Sequence, residues 1–198
     1  MVTAPVPGNE GARLEFLRAH VSVDTRRDIA LDRIVFMAAQ IFRVPTAAVT
    51  LIDDERVWIK AQVGLALTHH PRRHSFCAHA ILSDAVLIVG DALEDARFAG
   101  SDLVRRHPNI RFYAGAPLIA ATGLRLGSVC VLDYMPRQID PAQVGSLRRL
   151  ARSATALLLE EGLGRADPAG KRPPGTVRPR GAVADAGRGG LTPNLPGA

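Results

Sequence analysis

Residues 42–64 read FRVPTAAVTLIDDERVWIKAQVG, and the change of period inside this stretch sets the fold class. Behind it, from Asp28 to Arg43, Leu31, Ile34, Val35, Ala38, Ile41 and Phe42 recur at three- and four-residue spacing, which predicts an amphipathic helix. Thr25 is placed to cap that helix, and Asp28 suits its first turn. Val44-Pro45 ends it, because the proline ring disfavours helical geometry in the residue before it. TAAVTLI and RVWIKAQVG then follow as two strands, joined by Asp53-Asp54 in a tight turn. In the second strand Val57, Ile59, Ala61 and Val63 are expected on one face, with Trp58, Lys60 and Gln62 on the other.

Working outward, Leu14, Leu17 and Val21 predict a short helix over Gly11 to His20. Downstream, HSFCAHAILSD (74–84) reads as a short helix and AVLIV (85–89) as a short strand. Residues 91–110 hold no sustained period and many turn-formers, so a loop with a helical turn or two is expected there. RFYAGAPLI (111–119) alternates again, with Phe112, Ala114, Ala116 and Leu118 on one side. Its Pro117 belongs at an edge or near the strand end. RLGSVCVLDY (125–134) returns, and Asp140-Pro141 opens a long final helix with Leu147, Leu150, Ala151, Ala154, Leu157 and Leu158 as its apolar stripe. Helices at both ends with hairpins between them predict an α+β domain built on an antiparallel sheet.

The length of 198 residues suits one domain, over 11–163. It is preceded by a flexible N-terminus, 1–10, and followed by a Gly/Pro/Arg-rich tail, 164–198, too poor in apolar residues to order itself. The net charge is +6, but the tail holds six basic residues against Asp167 and Asp185, so the domain is nearly balanced. Nucleic acid is not expected as a partner, since the tail has no aromatic residue to stack on bases. No signal-peptide pattern opens the chain, and the most apolar run, Leu118 to Leu132, is interrupted by Arg125 and glycines. The expectation is a cytoplasmic protein without membrane insertion, its two cysteines reduced rather than forming a disulfide scaffold.

VSVDT, FRVPTAAVTLIDDERVWIKAQVG, HSFCAHAIL, DALEDARF, IRFYAGAPLI and RLGSVCVLDYMPR, in this order and spacing, are similar to those of a GAF domain. The likeness covers about Leu14 to Leu158 and is closest to the bacterial sensory subgroup often found before diguanylate cyclase or histidine kinase modules. It implies a central antiparallel sheet with helices on one side. On the other, loops and short helices would enclose a small-molecule cavity. It also implies a homodimer, through the first and last helices or through Asp28–Arg43. The NKFDE-type signature of cyclic-nucleotide-binding relatives does not occur. Nor do the several cysteine motifs of the free methionine-R-sulfoxide reductases. No particular cofactor is implied.

The residues singled out for ligand binding are Cys77, His79, Asp91, Asp95, Arg97, Phe98, Arg111 and Tyr113. Ser75 could cap the short helix and, with His74 or His79, favour a reactive Cys77 thiolate; Ala80 and Ile81 on the same face argue instead for a buried, packed thiol. His69, His70, His74, Cys77 and His79 are ligand types in no zinc spacing, so no metal is expected. Arg97 could hold a carboxylate or phosphate in a forked contact, or simply pair with Asp95 while Asp91 caps a turn and Phe98 plugs the core. Arg111 and Tyr113 lie on the strand face opposite Phe112 and would line a pocket there.

The leading expectation is a non-enzymatic sensor that binds an unidentified small molecule and acts through a dimer or a signalling protein in trans. The alternative is a thiol-dependent redox enzyme or sensor using Cys77, as in a free methionine sulfoxide reductase. A third reading is an adaptor whose basic tail binds acidic partners.

Overall fold

A computed structural model describes residues 2–21, 28–65 and 67–164. In chain order the elements are α1 (Glu10–His20), α2 (Ile29–Phe42), β1 (Thr46–Ile52), β2 (Arg56–Val63) and β3 (His69–Pro71). A 3-10 turn (Arg72–His74), α3 (Phe76–Ala80), β4 (Leu87–Val89) and α4 (Asp102–Arg105) follow, then β5 (Phe112–Ile119), β6 (Arg125–Asp133) and α5 (Pro141–Gly164). Thr25 and the tail beyond residue 164 lie outside the described residues. Asp28 is the N-cap of α2, its carboxylate accepting from the backbone N–H groups of Ala30 and Leu31 at 2.7 and 3.2 Å. Arg43 takes a left-handed conformation that closes α2 before Val44-Pro45. Asp140 and Gln143 cap the start of α5 reciprocally, each side chain meeting the other's backbone N–H.

The strands pair antiparallel in the order β3-β2-β1-β6-β5-β4. One face of the sheet carries α1, α2 and α5, packed on Leu51, Phe112, Ala114, Ala116, Leu118 and Val131. The opposite face presents Ala48, Ile59, Val89, Tyr113, Cys130 and Leu132 to α3 and the segment leading to α4. Pro117 pairs inward with Ser128 of β6, while β4 ends opposite Gly115, so its missing N–H faces no strand.

The expectation that Val57, Ile59, Ala61 and Val63 share a face is corrected. Val49 pairs with Ala61 and Thr50 with Ile59, which leaves Lys60 as the extra residue of a bulge. One inserted residue reverses the phase of the alternation. Val57 and Ile59 therefore join the α3 layer, while Ala61, Val63 and Trp58 pack on the helix layer. Ile41 is likewise turned outward on α2, and Ala39 takes its place in the core.

Candidate functional site

Between the sheet and α3 lies a small cavity of about 50 Å³. Its floor is the buried side of β1, β5 and β6 (Ala48, Thr50, Tyr113, Cys130), one wall is α3 with Cys77 and Phe76, and its rim is the partly exposed Leu65, His70, Leu103 and Pro108. Apart from His70 at the rim, the lining is apolar but for a few hydroxyls and thiols. Ser75 caps α3, its hydroxyl accepting from the backbone N–H of Cys77 at 3.0 Å and of Ala78 at 3.4 Å. That cap presents Cys77 to the floor. The Tyr113 hydroxyl donates to Cys77 Sγ at 3.5 Å and lies 3.5 Å from Ser128 Oγ, which is 3.1 Å from Thr50 Oγ1. Cys77 Sγ and Cys130 Sγ are 3.9 Å apart, both free and buried.

This cluster polarises its members unequally. Hydrogen bonding from Cys130 outweighs burial and, helped by Ser128, Tyr113 and Thr50, holds the Cys77 thiol well below its ordinary range. The same contact with Cys77, together with burial, pushes Cys130 well above it. Burial first, then charge at Cys77, raises Tyr113, whose phenol stays protonated. Five-residue α3 is too short to contribute much of a dipole, so side chains rather than a helix end set the acidity.

The eight residues singled out from the sequence fall into two groups. Cys77 and Tyr113 line the cavity. Phe98 is fully buried beside it, stacked on Phe76 at 4.3 Å, with the His79 ring edge-on at 4.7 Å. His79 is buried, its Nδ1 3.1 Å from the Ser75 carbonyl. Asp95 accepts a forked pair of bonds from Arg97, Nε at 2.9 Å and Nη2 at 2.6 Å. Asp91 accepts from the Leu93 N–H at 3.0 Å and is gripped by both Arg111 Nε and Nη2. These two ion pairs brace the 91–111 segment behind Phe98, and their mutual hydrogen bonds lower both carboxyls and raise both guanidiniums.

The sequence does not single out Cys130, Thr50, Ser128 or Ala48. Strand alternation through β6 puts Cys130 and Ser128 on one face, but only the register Gly115↔Cys130 and Ala48↔Cys130 brings them beneath Tyr113 and Cys77. Among the described residues no group of three or more His, Cys, Asp or Glu is placed to hold a metal ion, and no helix is long and apolar enough to cross a membrane.

Comparison with known proteins bears on this geometry. The profile of the family described as GAF domain matches residues 26–158. A cyclic di-GMP phosphodiesterase of Pseudomonas aeruginosa is 40% identical over 157 residues, which is 79% of this chain but 27% of that protein. The chain thus spans about a quarter of the length of this curated relative. The expectation of a non-enzymatic protein is overturned by this relative, which is an enzyme by name. Among solved structures, the GAF domain of an Acinetobacter phosphoenolpyruvate-protein phosphotransferase superposes with a TM-score of 0.57 at 15% identity, over 78% of this chain and 93% of that one. The blue-light absorbing form of the Thermosynechococcus elongatus PixJ GAF domain gives 0.56 at 14% identity, over 71% and 89%. A free methionine-R-sulfoxide reductase of Neisseria meningitidis gives 0.54 at 20%, over 68% and 78%. At these identities the likeness is one of fold.

Proposed function

The chain belongs to the GAF domain family of sensory and regulatory modules, and from that premise we propose that it is the ligand-binding, regulatory part of an enzyme acting on cyclic di-GMP. The observation that carries this reading is the cavity between sheet and α3, in the place where the fold offers a binding site and lined by apolar walls with converging hydroxyls. The phosphodiesterase action is drawn from the 40%-identical relative.

At about 50 Å³ the cavity accepts a ligand of only a few non-hydrogen atoms, since a single water already needs about 10–15 Å³ of such space. A larger ligand enters by displacing the segment around α4. That helix has four residues, held by its Ser101 cap and by the Ile110 N–H donating to the Leu103 carbonyl. The α3 side of the sheet is tied to the helix layer through Arg72, just before α3, whose guanidinium is bonded to Glu10 at the start of α1. A ligand shifts this equilibrium only to the extent that it prefers one arrangement. A second copy packs on the outer face of α2, where Ile29, Phe36, Met37 and Ile41 are exposed without an apolar cover.

The test is native mass spectrometry of protein purified from its own host, beside Ala48→Leu, which fills the cavity floor. Retention of a small-molecule mass by the natural chain and its loss in a folded Ala48→Leu variant supports the reading. Absence of bound mass from every preparation, or equal retention by the variant, sinks it.

A further inference from the structure

Cys77 and Cys130 come from elements 53 residues apart and meet at the cavity wall with 3.9 Å between sulfurs. We propose that this pair is a redox-modification site, where a small hydroperoxide entering the cavity is reduced and the two thiols close to a disulfide.

Three observations carry it. A disulfide needs about 2.05 Å between sulfurs, so the present gap closes with a movement of about 2 Å. Cys130 sits in the central strand β6, held on both sides by β1 and β5, whereas Cys77 rides on α3, a five-residue helix free of strand pairing. The movement therefore belongs to α3. Second, the two thiols are not equivalent. Cys77 takes the Tyr113 hydroxyl at 3.5 Å and has its thiolate favoured, while Cys130 keeps its proton. This is the division of labour between an attacking and a resolving thiol. Third, the sulfurs border an open space rather than a solid core, and about 50 Å³ admits hydrogen peroxide, with two oxygens, but not a bulky oxidant.

The Cys77 thiolate attacks one oxygen of the peroxide. The O–O bond breaks, and the departing oxygen takes up the proton that the thiol released, leaving as water or an alcohol. Cys77 is then a sulfenic acid. The Cys130 sulfur attacks the Cys77 sulfur, the S–OH bond breaks, and the Cys130 proton leaves with the hydroxide as a second water. Two thiols have lost two electrons and the peroxide has gained them. The disulfide ties α3 to the middle of the sheet, takes the Cys77 sulfur from the Tyr113 hydroxyl and shuts the cavity floor. The chemistry needs no ligand in the cavity, and one seated there would keep the peroxide from the sulfurs.

The experiment exposes the full chain to hydrogen peroxide, quenches, denatures, alkylates and maps peptides without reductant. The expected result is an intramolecular Cys77–Cys130 cross-link, reversed by dithiothreitol, with both thiols lost together roughly tenfold faster in folded than in urea-unfolded protein. Cys130→Ser should stop at an oxidised Cys77 with no cross-link, and Cys77→Ser should leave Cys130 unmodified. Should a serine variant fail to fold, the natural chain still decides the matter, and Tyr113→Phe, which keeps both thiols, should slow the reaction. Both thiols remaining alkylatable after excess peroxide, a bond formed between chains, or oxidation no faster in the folded state would each overturn the proposal.

Discussion

Glu10, the first residue of α1, accepts a hydrogen bond of 2.5 Å from Arg72 Nη1, sixty-two positions away in the turn before α3. The same carboxylate takes Nε and Nη2 of Arg13 at 2.8 Å each, and the fully buried Arg13 donates Nη1 to the Ile52 carbonyl at 2.6 Å. Burial alone would raise the Glu10 carboxyl. The Arg13 and Arg72 bonds outweigh it and bring the group from 4.5 down to about 2. A carboxylate with a depressed folded value stabilises the fold above its unfolded value, and that stability is lost as pH falls from 4.5 toward 2. Glu10→Gln should therefore cost about 1–2 kcal/mol near neutral pH, after discounting for solvent screening, and the difference from the natural chain should vanish near the bottom of that window. Acid titration followed by circular dichroism checks it; a gap unchanged across the window would refute the assignment.

The hydroxyl end of Tyr113 lies against Gly115, two residues along the same strand face, and a methyl group at 115 would overlap its phenol. The glycine is there for close approach, not for an unusual backbone angle. Gly115→Ala should expel the Tyr113 hydroxyl from Cys77 and Ser128 and destabilise the fold by about 1–3 kcal/mol. Gly11→Ala, where a Cβ meets open space in α1, should instead be neutral or slightly stabilising. Urea denaturation of the pair separates crowding from propensity.

His79 shares Nδ1 with the Ser75 carbonyl, which only accepts, so the proton sits on Nδ1. Nε2 is buried without a hydrogen-bond partner. Burial, partly offset by the Ser75 carbonyl, lowers the ring below 6.5, as burial also lowers His70. For a histidine kept neutral by folding, the unfolded chain binds the extra proton, so stability falls as pH drops below 6.5. Urea midpoints at about pH 7.5 and pH 5.5 should show this fall, and His79→Gln should reduce it. A slope that survives the substitution intact would assign it to His70 or elsewhere.

Periodicity carries the element order because each element's apolar spacing is local: α2, the β1–β2 hairpin and the β5–β6 pair are all written in their own residues. What depends on register is not. The bulge at Lys60 leaves the alternation of Val57, Ile59, Ala61 and Val63 intact on paper and reverses it in space. Arg13 reads as one more basic residue on a short helix, and only the fold brings Ile52 and Glu10 round it. Cys130 reads as an apolar strand residue until the sheet sets it opposite Cys77. The site is least legible for this reason: its floor and wall are assembled from three strands and a helix that share no spacing.

Helix α2 offers the sharpest contrast between burial and interaction, because its two faces are both apolar. Ile34, on the inner face, is 4% exposed against the sheet, while Phe36, on the outer face, is 57% exposed. Ile34→Ala removes packed methyl groups and leaves a void, so it should cost about 2–5 kcal/mol of stability without altering association. Phe36→Glu removes little buried surface and should leave stability within about 0.5 kcal/mol. It places a charge where two copies would meet, and an unpaired charge in an apolar contact is strongly unfavourable. Light scattering across a concentration series should then show dimer for the natural chain and for Ile34→Ala, and monomer for Phe36→Glu. A natural chain that stays monomeric at high concentration, or a Phe36→Glu variant that still dimerises, would move the contact away from this face of α2.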